Sequence, residues 1–126
     1  MDTVFNNSVP IYLQIVSEIK KQIISGKLVP GTRIQSVREL ALTYQVNPNT
    51  MQKALIELED EGLIKTERTN GKFVTEDIKI IKKVKNEYAD NLTQNYLSEM
   101  ISLGITKQEI KERIKWNGTT WNNKSL

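Results

Sequence analysis

The sequence contains no cysteine and no histidine. Without cysteine no disulfide can form, and without either residue type a conventional zinc site or a histidine-based catalytic triad cannot be built. The carboxylates, lysines and serines that remain show no spacing typical of a base, nucleophile or metal site. We therefore expect no catalytic residues, no metal and no cofactor, and an enzyme is the least favoured class of function.

Long hydrophobic runs are also missing. No apolar run approaches the roughly 18 residues needed to span a bilayer, and the first ten residues lack the basic and apolar parts of a secretory signal. These absences predict a cytoplasmic protein without a membrane partner. The 126 residues, 38% of them hydrophobic, suffice for one ordinary domain or a small domain with an appendage.

The net charge of +3 suggests a polyanionic partner, but the charge is unevenly distributed. Residues 1–77 hold 9 Lys or Arg against 10 Asp or Glu, whereas residues 78–126 hold 9 against 5. The first part is therefore close to neutral. Any case for nucleic-acid binding must depend on where individual charges lie.

Three helices are predicted in the first half of the chain. The first begins at Pro10, ends at Gly26 and carries a buried stripe at four-residue spacing: Ile11, Ile15, Ile19 and Ile23. After a turn, in which residues 33–34 form at most a brief strand, Ser36 and Glu39 have the spacing of a capping box. The buried side of this second helix consists of Val37, Leu40, Ala41 and Tyr44.

The third helix has Asn47 as its N-cap and Pro48 as its first residue. Its buried side is formed by Met51, Ala54, Leu55 and Leu58, and Gly62 ends it. Two short strands, residues 63–68 and 72–75, then flank Asn70 and Gly71, a dipeptide typical of tight hairpins. This order of elements is typical of a winged helix-turn-helix.

From residue 78 to about 103 the pattern predicts a long helix with a continuous apolar stripe. Gly104 ends it, and a capping box of Thr106 and Glu109 starts a shorter helix that runs to about Trp116. The predicted fold is thus mainly α with a small β-hairpin, a winged helix-turn-helix followed by a two-helix dimerisation tail. Its predicted parts are an N-terminal arm (1–9), the winged domain (10–76), the dimerisation region (77–118) and a flexible tail (119–126).

In a winged helix-turn-helix the second helix of the pair presents its N-terminal end to base edges in the major groove. This explains why the third helix begins with hydrogen-bonding side chains instead of core residues. The carboxylates at its far end, Glu57 to Glu61, are expected to point away from the phosphates. The predicted DNA-binding residues are Arg33, Ser36, Arg38, Asn47, Asn49, Thr50, Gln52, Lys53, Arg68, Asn70, Gly71 and Lys72.

Residues 10–74 strongly resemble the GntR family of bacterial transcription regulators. The resemblance is carried by a dense set of matching positions: Gly26, Leu28, Pro30, Gly31, Arg33, Ser36, Arg38, Glu39, Leu40, Ala41, Ala54, Leu55, Leu58, Glu61 and Gly62. It implies a dimer on a two-fold-related DNA operator, with Arg38 contacting a base and Gly71 entering the minor groove. Pro48 stands where many members carry Arg, so Asn49 or Gln52 is expected to set specificity instead.

The short tail is similar to that of the YtrA-type branch, which implies homodimerisation through the tail and control of adjacent membrane-transporter genes. The predicted dimer interface is the apolar stripe: Ile81, Val84, Tyr88, Leu92, Tyr96, Met100, Ile110 and Ile114. The alternative is that the stripe folds back on its own winged domain. Four lysines, at 79, 82, 83 and 85, form either a solvated helix face or contacts to flanking phosphates.

The function expected from these patterns is that of a sequence-specific DNA-binding transcription regulator, a repressor acting as a homodimer on a palindromic operator. The alternative from another class is a winged-helix protein-interaction module that has lost specific DNA binding. Salt-sensitive binding to duplex DNA separates the two. The sequence indicates neither the operator, nor the regulated genes, nor an effector ligand.

Overall fold

The computed structural model describes the backbone of residues 8–125 and the side chains of residues 8–117. The predicted N-terminal arm therefore lies almost wholly outside the described residues. The predicted fold class, mainly helical with one hairpin, is confirmed. The elements in chain order are α1 (Ile11–Ile24), α2 (Val37–Tyr44), α3 (Pro48–Asp60), β1 (Ile64–Glu67), β2 (Gly71–Val74), α4 (Ile78–Ser102) and α5 (Lys107–Ser125).

The chain divides into two compact units, Met1–Asn86 and Glu87–Leu126, here called the winged unit and the tail unit. The core of the winged unit draws buried side chains from all three of its first helices, from the hairpin and from the first turns of α4. On α1, Ile15, Ile19 and Ile23 are buried as predicted, whereas Ile11, in its first turn, is exposed.

The helix-turn-helix is built by α2 and α3. All four predicted core positions of α3 are buried, and so are Ala41 and Tyr44 on α2, while Val37 and Leu40 are half-buried. Gln45 links the two helices, and its backbone adopts the left-handed helical conformation with φ 57°. At the end of α3, Gly62 has φ +80°, a conformation that costs glycine little and other residues more.

The wing is an antiparallel hairpin in which Ile64 pairs with Val74 and Glu67 with Gly71. The segment before α2 lies beside β2, where Arg33 forms an isolated antiparallel bridge with Phe73. Ile34 N donates to Lys72 O at 2.9 Å, and Val74 N donates to Thr32 O at 2.9 Å. These bonds attach residues 32–34, and hence the start of α2, to the wing.

The first turns of α4 belong to the winged unit. Asp77 caps the helix, since its Oδ1 accepts from Lys79 N at 3.0 Å, and Ile81 and Val84 are 9% and 7% exposed within the core of the winged unit. Their side chains are therefore covered within the same chain, which leaves little of their surface for the predicted dimer contact. For the same reason this unit extends to residue 86, beyond the predicted boundary at 76.

In the tail unit, Thr106 and Glu109 form the predicted capping box: Glu109 N donates to Thr106 Oγ1 at 3.2 Å and Thr106 N to Glu109 Oε1 at 3.2 Å. Ile110 is buried. The predicted end of the last helix at Trp116 is wrong, because α5 continues to Ser125. The polar residues after Trp116 include no proline, so their backbone can keep the i→i−4 hydrogen bonds without an apolar stripe.

Among the residues that the structure describes, no helix combines the length and the apolar content that crossing a membrane requires.

Candidate nucleic-acid interface

The start of α3 is organised by a side-chain cap. Asn47 Oδ1 accepts a hydrogen bond from Asn49 N at 2.7 Å, and Pro48 follows at the first helical position, as predicted. The cap uses the Asn47 side-chain oxygen. Asn49 and Gln52 are both exposed at this end of the helix.

The outward face of α3 is mainly polar. Asn49, Gln52, Lys53 and Ile56 are all exposed and lie at i, i+3, i+4 and i+7, which places them on one side of the helix. Thr50, also predicted, is half-buried. Ile56, 46% exposed, lies on the same face but is not among the predicted DNA-binding residues. The sequence carries a signal for it, because Ile56 is an apolar residue one turn beyond Gln52 and Lys53 and outside the buried stripe.

Lys53 has a neighbour on α1 that the sequence did not indicate. Its ammonium nitrogen lies 4.2 Å from the centroid of the Tyr12 ring, a cation–π contact. Tyr12 is half-buried. The ring limits the positions that the lysine head can take at the edge of the outward face.

The start of α2 carries the predicted capping box. Glu39 N donates to Ser36 Oγ at 3.2 Å, and Ser36 N donates to Glu39 Oε1 at 3.1 Å. Hydrogen bonding from the backbone and the side chain of Ser36 to the Glu39 carboxylate lowers the pKa of Glu39 below its ordinary value. Arg38 is exposed in this first turn and forms no ion pair with the residues that the structure describes.

An open cleft of about 540 Å³ separates the start of α2 from the wing. It brings together half of the predicted DNA-binding residues, whereas the other half, which includes Asn47, Asn49 and Gln52, does not line it. The predicted residues that line the cleft are Arg33, Ser36, Arg38, Arg68, Gly71 and Lys72. A groove with arginines on both walls is suited to a phosphate backbone.

Gly71 has a structural reason to be glycine. It adopts φ +99°, and a Cβ at this position would lie 3.0 Å from Arg33 Nε and 3.2 Å from an Arg33 terminal nitrogen. The Arg33 guanidinium therefore lies directly against the backbone at the start of β2. At the other end of the turn, Asn70 Nδ2 donates to Glu67 Oε2 at 3.2 Å.

Lys72 is not a free cation. Its ammonium group lies 2.6 Å from Glu59 Oε1 and 2.8 Å from Thr66 Oγ1, and the side chains of Lys72 and Glu59 are only 14% and 30% exposed. Burial alone would raise the pKa of Glu59, but the hydrogen bonds from Lys72 and Thr66 outweigh it and lower that pKa. The charge of Lys72, a predicted DNA-binding residue, is thus already paired within the chain.

The acidic end of α3, whose carboxylates are predicted to point away from the phosphates, is partly paired within the chain. Glu59 is paired with Lys72, and Glu61 Oε1 lies 2.9 Å from the ammonium group of Lys20 on α1. Glu57 and Asp60 are exposed as expected. The reason lies in the tertiary structure, because the hairpin and α1 each place a lysine beside the end of α3. The helical pattern of the sequence does not indicate these contacts.

Comparison with known proteins identifies this arrangement. The family described as "Bacterial regulatory proteins, gntR family" matches residues 11–74, which include α1, α2, α3 and the hairpin. The chain belongs to the GntR family. The GntR relatives are transcription regulators whose helix-turn-helix binds DNA, and the fold described above is their winged helix-turn-helix.

Two curated relatives show how far the similarity extends. The chain is 38% identical over 115 residues to the uncharacterized HTH-type transcriptional regulator YhcF of Bacillus subtilis, covering 91% of this chain and 95% of YhcF. It is 45% identical over 73 residues to the HTH-type transcriptional repressor YtrA of the same organism, covering 58% of this chain and 56% of YtrA. The predicted similarity to the YtrA branch is thereby confirmed.

Solved structures also resemble the chain, and two of them illustrate the similarity. A GntR family transcriptional regulator from Listeria monocytogenes has a TM-score of 0.82 and 45% identity, covering 88% of this chain and 97% of that one. The DNA-binding domain of AraR in complex with operator ORX1 has a TM-score of 0.52 and 29% identity, covering 60% of this chain and 92% of that one.

Proposed function

We propose that the chain is a cytoplasmic, homodimeric repressor that binds an operator with two-fold symmetry. The observation that carries this proposal is the outward face of α3, which offers Asn49, Gln52 and Lys53 beside an arginine-lined cleft. Asn and Gln side chains exposed at the start of the second helix of a helix-turn-helix are placed to donate to and accept from base edges.

The α3 face is the part that reads sequence. Asn and Gln amides can donate to and accept from the major-groove edge of adenine, a bidentate pairing that rejects other bases. Ile56, one turn further along, offers apolar contact to a thymine methyl group. Arg38, at the start of α2, supplies a guanidinium for a guanine edge or a phosphate.

The cleft between α2 and the wing is the part that holds the backbone. Arg33 and Arg68 form no ion pair with the described residues, and Arg33 stands directly beside Gly71 at the wing. Lys72 contributes less than the arginines, because Glu59 neutralises it at 2.6 Å. Arginines placed this way bind phosphate without reading sequence.

The tail unit supports the dimer. Leu92 is 56% exposed and Tyr96 is 40% exposed on α4, and Leu103 and Ile114 are exposed as well. A second copy of the chain can cover these side chains with the same surface, as in a two-fold symmetric dimer.

A two-fold dimer predicts an operator with two half-sites about one helical turn, roughly 10 base pairs, apart. Repression then requires only that the dimer occupies DNA that polymerase needs.

The operator is expected beside genes of a membrane transporter, as the resemblance to the YtrA branch implies. Selection of binding sites from randomised duplexes tests the proposal, because it requires no operator sequence to start from. The recovered motif should have two-fold symmetry. Its position in the genome then tests the assignment to a transporter operon.

The selected duplex also allows the residue roles to be measured by fluorescence anisotropy. Arg38→Ala combined with Gln52→Ala should raise the Kd at least about 30-fold, since each lost base contact costs about 1–3 kcal/mol. Arg113→Ala, which removes an arginine from the tail unit, is the control and should bind as the wild type does. Specific binding that survives the double substitution unchanged would overturn the proposed readout. Failure to bind any duplex would favour the protein-interaction alternative.

A further inference from the structure

Lys72 differs from the other cations that line the cleft between α2 and the wing. The three arginines of the cleft form no ion pair among the residues that the structure describes, whereas Lys72 is paired with Glu59. Glu59 does not line the cleft, and it follows Asn49 on α3 by about 15 Å along the helix axis. Lys72 thus stands at the wall of the proposed phosphate site, while its charge is held by a carboxylate outside that wall.

Three hydrogen bonds fix the position of the Lys72 ammonium group. It donates to Glu59 Oε1 at 2.6 Å and to Thr66 Oγ1 at 2.8 Å, and the Thr66 hydroxyl donates to the same Glu59 oxygen at 2.9 Å. Thr66 is also the residue that pairs with Lys72 across the hairpin. Both ends of the contact are therefore anchored, because the hairpin fixes the lysine and α3 fixes the carboxylate.

A DNA phosphate is a poor replacement for Glu59 as the partner of Lys72. The side chains of Lys72 and Glu59 are 14% and 30% exposed, so salt and water screen the pair less than an exposed one. Hydrogen bonds between ionised groups are also about twice as strong as neutral ones. Release of Lys72 would leave the Glu59 carboxylate partly buried without its countercharge. The pair should therefore persist when DNA is bound.

We propose that Glu59 is a positioning residue that holds Lys72 away from the DNA phosphates and thereby limits the sequence-independent part of the DNA affinity. This inference rests on the proposed DNA-binding function. Each phosphate that a cation neutralises changes the slope of the logarithm of the association constant against the logarithm of salt concentration by about 0.9. A withheld lysine adds nothing to that slope, whereas a released lysine adds one such increment for each chain that binds.

The experiment measures, by fluorescence anisotropy at about 50–200 mM salt, how the full chain binds the selected duplex and a scrambled duplex. Glu59→Gln releases Lys72, so it should steepen the slope by about 0.9 per chain and lower the Kd for the scrambled duplex at least about threefold. Glu57→Gln removes an exposed carboxylate from the same helix and is the matched control, which should leave the slope unchanged.

A second variant separates the release of Lys72 from the loss of the Glu59 charge. Lys72→Met keeps an unbranched side chain and removes the ammonium group. In the wild-type background it should leave the slope unchanged, because Lys72 holds no phosphate there. Combined with Glu59→Gln, it should return the slope to the wild-type value.

Three results would overturn the proposal while the proposed function stands. The first is an unchanged slope with Glu59→Gln. The second is a slope that Lys72→Met flattens by about 0.9 in the wild-type background, because Lys72 would then already hold a phosphate. The third is weaker binding by both single variants without a steeper slope, which would assign the pair a purely structural role. Failure of the wild type to bind any duplex would instead overturn the proposed function and this inference with it.

Discussion

The two halves of α4 differ sharply in what covers their apolar residues. In the first half, Ile81 and Val84 are buried in the core of the winged unit, whereas in the second half Leu92 and Tyr96 are 56% and 40% exposed. Both pairs continue the same helical stripe. The first part of the stripe therefore belongs to the core of the winged unit, and the second part forms an exposed apolar surface. The amphipathic pattern in the sequence does not distinguish these two parts.

The same contrast holds for the two units as wholes. The buried hydrophobic residues of the described chain lie almost entirely in the winged unit, with Ile110 the exception. A unit with its own hydrophobic core can leave polar side chains exposed for recognition. A unit with almost no buried core leaves apolar side chains exposed, and these need another surface to cover them. This difference agrees with the proposed roles, in which the winged unit binds DNA and the tail unit binds a second copy of itself.

The largest expected effect comes from the core of the winged unit. Leu58 on α3 is fully buried, so Leu58→Ala should lower the free energy of unfolding by about 2–5 kcal/mol in urea titrations at fixed protein concentration. Leu42→Ala, the same deletion at an exposed leucine of α2, should change it by less than about 0.5 kcal/mol. Equal decreases in the free energy of unfolding for the two variants would contradict the assignment of Leu58 to the core and Leu42 to the surface.

The second effect concerns the tail unit. Leu92→Asp with Tyr96→Asp should weaken dimerisation at least about 100-fold in analytical ultracentrifugation, because each substitution puts a charge into the proposed apolar contact. The far-UV circular dichroism of the chain should remain helical.

Gln94→Glu with Ser98→Glu is the matched control, since it adds two charges on the opposite side of α4 at exposed positions. A dimer that tolerates the first pair and dissociates with the second would place the interface on the other face of the helix.

The third effect compares the two capping boxes. Ser36→Ala and Thr106→Ala each remove a cap of the same kind and should each cost about 1 kcal/mol of stability. Only Ser36→Ala should also raise the Kd for DNA, by a few-fold, because its helix start carries Arg38. A comparable loss of DNA affinity with Thr106→Ala would show that the tail unit takes part in binding.

The smallest effect concerns the wing. Because the pKa of Glu59 is lowered in the folded state, its stabilising contribution is present above the ordinary glutamate pKa of about 4.3 and is lost as the pH falls through the lowered value. Glu59→Gln should therefore cost about 1 kcal/mol or less near pH 7, and the difference from wild type should shrink below about pH 4. Thermal unfolding across pH 3–7 measures this, with the exposed Glu57→Gln as the control.

Local signals in the sequence predicted much of this structure. The capping box at Ser36, the cap at Asn47 and the buried stripe of α3 depend on residues within a few positions of each other, and all three are present. The Lys72–Glu59 pair joins residues 13 positions apart across two elements. The spacing of apolar residues in the sequence does not predict this contact, because it depends on how the hairpin packs against α3.

In the candidate site, too, some features follow from local sequence patterns and others depend on how the helices pack together. Exposure of Asn49 and Gln52 follows from their places opposite the buried stripe, so the helix pattern was enough to predict it. The contact of Lys53 with Tyr12 was not predictable in this way, since it requires α1 to lie beside α3. The extension of α5 to Ser125 was missed because a polar segment without proline carries no clear stop signal.

The most direct test of the central claim is to map the DNA contact surface by two-dimensional NMR of the ¹⁵N-labelled chain titrated with its selected duplex. The largest amide shifts should fall on Arg38, Asn49, Gln52 and Gly71, with residues 87–117 changing little. Shifts concentrated in residues 87–117, with the outward face of α3 unperturbed, would contradict the assignment of DNA reading to the winged unit.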